Sequence, residues 1–341
     1  MEFIKKFFKK KVLTIGGGSG QYALLSGLRD LEQIEITTIV SMADSGGSTG
    51  RLRDELGILP PGDVLKCILA LSPHRNIART IFLKRFTGDR RLQGHNAGNM
   101  LLTMLSRYTG SFPSGIQALA EILDTLGNIL PVTVDRATLV AELTDGSRIY
   151  GETAIDIPRG TQREKIRDVF LVPHHSDTIT VYPPVIDRIR SADTIIIGPG
   201  DLFTSIIPSL IVPGVKEALQ KTKAKILYVI SIMTKFGETH QFSGRDFVKT
   251  LEDAIGRKVD GIIYNTGRPD NKLLARYHTQ KAEFVEFDNQ DGWWDKRNVH
   301  KSDLLETSGG IVRHDSQKLA ELINTIIFQN NVKTTKSTPT S

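Results

Sequence analysis

The chain has 341 residues, of which 39% are hydrophobic and 24% charged, as in ordinary soluble globular proteins. Its net charge of +6, from 44 Lys and Arg against 38 Asp and Glu, suits an anionic ligand as well as nucleic acid and selects neither. The single cysteine, Cys67, excludes an internal disulfide and a cysteine-based zinc site, and no apolar run has the roughly 18–20 residues of a membrane span.

The two ends of the chain are predicted to lie outside the folded domain. Residues 1–10 form a basic leader without the features of a signal peptide, and a solvated leader is favoured over a short helix on anionic lipid. Residues 330–341 are polar apart from Val332 and are predicted to be disordered. We expect one α/β domain between them, over residues 11–329.

The first predicted unit is a strand, a glycine loop, a helix and a second strand. Residues 12–15 are a short apolar run before the glycine-rich segment 16–20, apolar residues then recur at helical spacing, and residues 36–40 form the next strand. This order within about 30 residues is the βαβ signature and predicts a parallel sheet. Residues 18–23 also fit the G-x-G-x-x-A dinucleotide pattern, which is weak without its context.

Later segments repeat this alternation with one exception. Predicted strands cover 194–197, 225–230, 261–264 and 283–287, and predicted helices cover 64–71, 100–105, 244–255 and 316–328. Residues 133–156 instead alternate with a period of two around a hairpin turn at 144–147. The predicted fold is therefore α/β, with a doubly wound, mainly parallel Rossmann-like sheet and a small antiparallel excursion.

Glycine loops follow several predicted strands, and such loops let backbone N–H groups approach a phosphate closely. In a doubly wound sheet these loops meet at the carboxyl edge, where ligands bind. We expect Asp44 to bind a hydroxyl or Mg²⁺ and Arg51 to neutralise a diphosphate. The candidate ligand-binding residues are Gly17, Gly18, Ser19, Gly20, Asp44, Gly46, Gly47, Ser48, Arg51, Gly62, Asp63, His95, Asn96, Asn99, Gly198, Gly200, Thr204, Ser205 and Thr234.

Structural explanations compete with these assignments. The glycine loops can be tight turns without a ligand, Arg51 can be a solvated helix-face charge, and Asp63 can cap the helix that follows it. Segment 94–99 can likewise be a helix-capping turn. The chain contains no Walker-type loop, no G-x-S-x-G elbow and no H-E-x-x-H motif, and we assign no catalytic residue and no metal site.

Taken together, the motifs resemble the gluconeogenesis-factor family, the YvcK-type relatives of the 2-phospho-L-lactate transferases (CofD). The motifs, in chain order, are IGGGSG at 15–20, MADSGGSTGRLRDEL at 42–56, LPPGD at 59–63, GHNAGN at 94–99, GE at 151–152, IIGPGDLFTSIIPSLIVPG at 196–214, IMTKFGET at 232–239 and IVRHD at 311–315. The resemblance implies a cytoplasmic protein that binds UDP-sugars, notably UDP-N-acetylglucosamine. It also implies a role in cell shape and wall synthesis during growth on gluconeogenic carbon.

Two departures from the family pattern bear on activity. The family usually has paired aspartates before Gly-Gly, whereas this chain has Asp44 followed by Ser45, and the usual GPGSLYTS reads GPGDLFTS at 198–205. Since Mg²⁺ sites rely on carboxylates and phosphate, the missing aspartate weakens the expectation of a metal. The sequence favours a non-catalytic ligand-binding regulator that requires no cofactor. Binding of Mg²⁺ stays open as an alternative.

Three other functions stay open at this stage. The first is a 2-phospho-L-lactate transferase-like enzyme with Asp44 and Asp63 on a divalent metal, and the second is an NAD-dependent oxidoreductase. Nucleic-acid binding is least favoured, because the basic residues are judged dispersed and only 7% of residues are aromatic. A homo-oligomer is compatible with the sequence, which does not identify the base, the sugar, any protein partner or a reaction.

Overall fold

The computed structural model describes residues 9–88, 92–158, 160, 162–287 and 291–328. Residues 1–8 of the predicted leader and the predicted tail 330–341 lie outside these ranges. The strands are β1 (Lys10–Gly16), β2 (Ile34–Val40), β3 (Asn128–Pro131), β4 (Ala137–Leu143), β5 (Arg148–Tyr150), β6 (Ile166–Pro173), β7 (Thr194–Ile197), β8 (Lys225–Val229), β9 (Gly261–Asn265), β10 (Val299–Ser302), β11 (Leu305–Glu306) and β12 (Arg313–His314).

Helices connect most of these strands. They are α1 (Gly18–Leu28), α2 (Gly47–Leu56), α3 (Gly62–Leu71), α4 (Arg75–Phe82), α5 (Ala97–Tyr108), α6 (Phe112–Ile122), α7 (Glu152–Asp156), α8 (Pro183–Ser191), α9 (Ile207–Leu210), α10 (Val215–Lys221), α11 (Gly244–Ile255), α12 (Asn271–Thr279) and α13 (Ser316–Phe328). A π-helical turn, Leu202–Ile206, precedes α9. Two 3₁₀ turns, Trp293–Lys296 and Ser308–Gly310, lie near the C-terminal strands.

The central sheet has seven parallel strands in the order β10-β9-β8-β7-β1-β2-β3. The chain first moves from β1 outward to β3 and then returns to the other side of β1 with β7. The strand order therefore reverses between β1 and β7. In open α/β sheets this reversal opens a crevice beyond the carboxyl ends of the two strands, which is the usual place for a ligand.

The central strands are buried along most of their length because both faces of the sheet are covered. All four residues of β7 and all five of β9 are buried. Helix α1 packs against α3 and α13, whereas α10 packs against α8 and α11. Parallel sheets built from right-handed crossovers carry helices on both faces in this way. The prediction of a doubly wound, mainly parallel α/β fold is confirmed.

The antiparallel excursion is present but extends further than predicted. Strands β5, β4 and β6 form a separate antiparallel sheet that reaches Pro173, beyond the predicted limit of residue 156. The turn between β4 and β5 lies at the predicted hairpin, where Gly146 has a φ of +84°. The prediction of a strand at 283–287 is wrong, because Phe284 makes only an isolated bridge to Met233.

Within the described residues, no single helix is long and apolar enough to cross a membrane. The bent pair Leu202–Leu210 and Val215–Lys221 meets that length and composition test only when its two parts are joined across a 76° bend. Most of its side chains are buried in the fold.

Candidate functional site

The glycine loop after β1 and the loop after β7 touch each other at the point where the strand order reverses. A Cβ on Gly20 would lie 2.3 Å from the carbonyl oxygen of Pro199, so only glycine permits this contact. Gly18 has a φ of +67° and Gly198 a φ of +76°, which also favour glycine. The backbone at the start of α1 is thereby open to an anion, in the manner of other helix N-termini.

A cavity of about 550 Å³ lies over these two loops. It extends to the loop after β8 and to residues of the C-terminal part of the chain. The cavity is lined by Gly17, Gly18, Ser19, Gly20, Ala23, Asp156, Ile157, Pro158, Pro199, Gly200, Asp201, Ser205, Ser231, Ile232, Met233, Thr234, Lys235, Phe236, Tyr277, Gln280, Ala282, Val312, Arg313 and His314. Its volume falls within the range of small-molecule binding sites.

A network centred on the ammonium group of Lys235 forms one wall of this cavity. Lys235 Nζ is hydrogen-bonded to Asp156 and lies 2.9 Å from a carboxylate oxygen of Asp201 and 3.4 Å from one of Glu238. Glu238 is buried and accepts hydrogen bonds from the backbone N–H of Phe203 and the hydroxyl of Thr204. The three carboxylates are close enough to hold a metal ion, but the ammonium group lies among them and supplies the positive charge.

The electrostatics of this network favour a neutral Glu238. Burial, and then the charge of the neighbouring Asp201, raise the pKa of Glu238 to about 8, with Lys235 opposing both. The carboxylates in turn hold the pKa of Lys235 well above its usual value. The predicted ligand residue Thr204 is thus bonded to Glu238 and does not line the cavity.

The second glycine loop, after β2, lies beside a group of carboxylates rather than in the cavity. Asp44 accepts a hydrogen bond from the backbone N–H of Gly46 at 2.9 Å, and Asp63 accepts one from Lys66 at 2.9 Å. A Cβ on Gly62 would lie 2.7 Å from a carboxylate oxygen of Asp44. Burial, and then the charge of Asp63, raise the pKa of Asp44. The pair carries more negative charge than Lys66 alone balances.

The structure adds a third carboxylate, Glu152, to this group. Its side chain accepts a hydrogen bond from the backbone N–H of Ser45 at 3.2 Å, more than 100 residues away in the chain. Burial, and then the charge of Asp44, raise the pKa of Glu152 to about 7. In the sequence, Glu152 stood out only as part of the Gly-Glu pair in the family resemblance. Its partner Ser45 is the residue that stands where the family usually has its second aspartate.

We expect Glu152→Gln to be more stable than the wild type at pH 8, with a difference that shrinks towards pH 5. The folded-state pKa of about 7 exceeds the ordinary 4.5, so the Glu152 carboxyl group destabilises the fold increasingly as the pH rises between those values. Urea unfolding at both pH values measures the difference. The exposed Glu121→Gln is the control, and an equal effect of Glu152→Gln at both pH values contradicts the prediction.

Ser48, His95 and Asn99 form a buried polar group behind the second loop. Ser48 Oγ and His95 Nδ1 are hydrogen-bonded at 2.9 Å, and the Asn99 amide donates to Ser48 Oγ at 3.4 Å. Burial, and then the charges of Arg51 and Arg85, lower the pKa of His95. Asn96 caps α5 by accepting from the backbone N–H of Asn99 at 2.7 Å, so the structural explanation holds for Asn96.

Asp63 and Arg51 have structural contacts of their own. The residue that precedes the first turn of α3 is Pro61, so Asp63 lies within that turn and does not cap it. A Cβ on Gly17 would lie 2.5 Å from a carboxylate oxygen of Asp63, which places the carboxylate group directly against the first loop. Arg51 donates to the backbone carbonyl of Gln93 and does not line the cavity.

The predicted residues therefore fall into two adjoining sets. The cavity collects Gly17, Gly18, Ser19, Gly20, Gly200, Ser205 and Thr234. The second loop and its surroundings hold Asp44, Gly46, Gly47, Ser48, Arg51, Gly62, Asp63, His95, Asn96 and Asn99, and Gly198 shapes the loop after β7 without lining the cavity. The two sets meet where Gly17 contacts Asp63.

Sequence reasoning missed the wall of the cavity that the C-terminal part of the chain supplies. The Tyr277 hydroxyl accepts a hydrogen bond from the backbone N–H of Val312 at 2.9 Å and so connects α12 to the segment before β12. Arg313 donates to Ser308 Oγ and is exposed to solvent, whereas His314 is buried and has its pKa lowered to about 4 by burial. The only earlier signal was the IVRHD motif.

Comparisons with known proteins agree with this architecture. Residues 12–305 match the family model described as CofD, 2-phospho-L-lactate transferase. The chain is 37% identical to a Bacillus subtilis protein named gluconeogenesis factor, covering 92% of this chain and 97% of that protein, and 35% identical to one of the same name from Listeria innocua, covering 96% and 99%. A crystal structure of a UPF0052 family member from Bacillus halodurans is similar with a TM-score of 0.85 and 35% identity, covering 92% and 99% of the two chains.

Proposed function

The chain belongs to the CofD family, and from this premise we propose that it is a cytoplasmic regulatory protein that binds a UDP-sugar, with UDP-N-acetylglucosamine as its ligand. In this proposal the protein regulates cell shape and wall synthesis during growth on gluconeogenic carbon and requires no cofactor. The relatives named gluconeogenesis factor support the metabolic setting. The observation that carries the proposal is the cavity at the point where the strand order reverses.

The chemistry of the cavity suits a nucleotide-sugar. The backbone N–H groups at the start of α1 lie at one end and can receive a diphosphate. Tyr277 and Arg313 lie on the wall supplied by the C-terminal part of the chain and offer an aromatic ring and a cation to the rest of the ligand. Ser19, Ser205 and Thr234 add hydroxyl groups.

An NAD-dependent oxidoreductase is less well supported. In dinucleotide-binding folds the acid at the end of the second strand holds the ribose hydroxyls. Here the corresponding acid, Asp44, bonds the backbone of Gly46, lies against Gly62 and does not line the cavity. The G-x-G-x-x-A pattern at residues 18–23 therefore lacks its usual partner.

The transferase is the second candidate, and Glu152 favours it. Asp63 lies against the first glycine loop, and Asp44 lies close to both Asp63 and Glu152. Carboxylate oxygens are the donors that Mg²⁺ prefers. In this alternative the three residues would hold the metal, which would neutralise charge on a bound diphosphate. The proposed regulator differs in needing no metal for binding.

We expect UDP-N-acetylglucosamine to raise the melting temperature of the protein, and NAD to raise it little. A ligand at 100 times its Kd stabilises the folded state by about 2.7 kcal/mol, which a thermal-shift assay detects readily. GDP and Mg²⁺ are included in the same panel. A clear shift with NAD, and none with any UDP-sugar, contradicts the proposal.

Calorimetric titration of three arginine variants locates the site. Because Arg313 lines the cavity and charge-assisted hydrogen bonds are worth roughly 1.5–3 kcal/mol, we expect Arg313→Ala to weaken UDP-N-acetylglucosamine binding by about ten- to a hundredfold and Arg313→Lys to recover only part of it. Arg51→Ala is the control, since Arg51 bonds the backbone carbonyl of Gln93 and lies outside the cavity. If Arg313→Ala binds like the wild type and Mg²⁺ proves essential, the transferase replaces the regulator as the better proposal.

A further inference from the structure

The positive charge of the chain is concentrated in one region, contrary to the expectation of dispersed basic residues. The stretch 64–120 has Asp89 as its only acid, so its net positive charge exceeds the +6 of the whole chain. Its basic residues are Lys66, Arg75, Arg79, Lys84, Arg85, Arg90, Arg91 and Arg107. The described part of this stretch includes α4 and α5, which pack against each other.

Helix α4 presents aliphatic side chains to solvent among these cations. Ile77 and Ile81 are one turn apart and are 65% and 55% exposed, whereas Ala78 is the one fully buried residue of the helix. Arg75 donates to the backbone carbonyl of Ser26 and the Arg79 guanidinium lies over the ring of Tyr22, so both arginines hold α4 on α1. This arrangement fixes the two isoleucines in an outward position.

The neighbouring surface has the same mixed character. On α5, Met104 and Tyr108 are one turn apart and exposed, with the exposed Arg107 between them in sequence. Phe86, 37% exposed, follows Lys84 and Arg85 after the end of α4. Among the described residues, none of the cations of α4, α5 or the segment between α4 and Gly88 lies within ion-pair distance of a carboxylate.

We propose that this surface, formed by α4, the segment 83–88 and the exposed side of α5, docks the protein on an anionic lipid bilayer. Basic amphipathic helices bind bilayers by burying aliphatic side chains at the acyl boundary while Lys and Arg contact lipid phosphates. A second copy of the chain would face this surface with like charges. Nucleic acid would leave Ile77 and Ile81 in water.

The position of the surface keeps the cavity accessible. Arg75 contacts Ser26 in the last turn of α1, whereas the cavity lies at the first turn of the same helix. The basic leader joins β1 at Lys10, which pairs with Ile34 at the start of β2. The start of α4 therefore lies at the amino edge of the sheet, away from the cavity, whereas segment 83–88 reaches the second loop region, where Arg85 donates to the backbone carbonyl of Gly94.

Vesicle flotation of the full chain tests the proposal, with phosphatidylcholine vesicles compared to vesicles that contain phosphatidylglycerol. We expect the protein to bind the anionic vesicles alone. High salt is expected to weaken this binding, because it screens the attraction between the basic side chains and the lipid phosphates. The double variant Ile77→Ser with Ile81→Ser is expected to lower partitioning at least about tenfold, and Lys84→Glu about tenfold. Val172→Ser and Lys249→Glu, on distant elements, are the matched controls and are expected to bind like the wild type.

Each alternative has its own outcome. No binding of the wild type to anionic vesicles overturns the proposal, and so does full binding by the isoleucine double variant, which would assign the affinity to the leader. A wild-type dimer that the double variant converts to a monomer, without vesicle binding, identifies the face as a contact between copies. A cooperative thermal unfolding transition without ligand, at a temperature near that of the wild type, shows that the double variant is folded and keeps this test separate from that of the ligand site.

Discussion

Replacing Lys235 by methionine is expected to destabilise the fold by roughly 3 kcal/mol, since removal of one partner leaves its carboxylates without a counter-charge in a largely buried place. Lys235 is the cation that Asp156, Asp201 and Glu238 share. The lower end of the usual range for such a loss applies because the lysine side chain is about one-third exposed. Urea unfolding measures the change, with the exposed Lys249→Met as the control.

The loss of unfolding free energy caused by Lys235→Met is expected to be larger at pH 9 than at pH 6. In the wild type the folded-state pKa of Glu238, about 8, exceeds the ordinary 4.5, so its contribution to stability declines as the pH rises between these values. Lys235 opposes that rise in pKa, and its loss extends the decline to higher pH. A deficit that is the same at both pH values would show that the lysine does not stabilise an ionised Glu238.

Substitution of Gly20 by alanine is expected to destabilise the protein by about 1–3 kcal/mol and to abolish the thermal shift with ligand. The new Cβ would lie 2.3 Å from the carbonyl oxygen and 2.6 Å from the carbonyl carbon of Pro199, both of them backbone atoms. The loops after β1 and β7 must therefore move apart, which distorts the cavity between them. The gain in helix propensity, about 1 kcal/mol, offsets part of the cost.

Gly88→Ala is the matched control for Gly20→Ala. No atom lies within 4 Å of the Cβ position at Gly88, so the new methyl group meets open space. Thermal unfolding with and without UDP-N-acetylglucosamine compares the two variants. If Gly20→Ala is as stable as Gly88→Ala and shows the full ligand shift, the contact between the two loops does not shape the site.

Several elements of the fold followed from local pattern alone. The predicted helices at 244–255 and 316–328 coincide with α11 and α13, and the predicted strand at 194–197 coincides with β7. The first βαβ unit was also correct, although β1 and β2 begin two residues earlier than predicted. Hydrophobic periodicity and turn residues act over a few positions, so a single sequence is enough to locate such elements.

Strand partners were harder to predict. The strand predicted at 283–287 is wrong, and β3, β6 and β10 were not predicted. Strand β10 has the sequence VHKS with no fully buried residue, because it lies at the edge of the sheet. A short edge strand is defined by its neighbour's hydrogen bonds, and these are invisible in the strand's own composition.

The candidate site, like the fold, was predictable from the sequence only in part. The glycine loops after β1 and β7 were found from sequence, since each directly follows an apolar strand and parallel strands end at one edge of the sheet. The tertiary structure alone decided that Thr204 turns to Glu238, that Arg51 lies outside the cavity, and that Glu152 joins Asp44. It also decided that Tyr277 and Arg313 form a wall of the cavity. These contacts join segments that are far apart in the chain, and their geometry depends on strand order and helix packing, which no local pattern encodes.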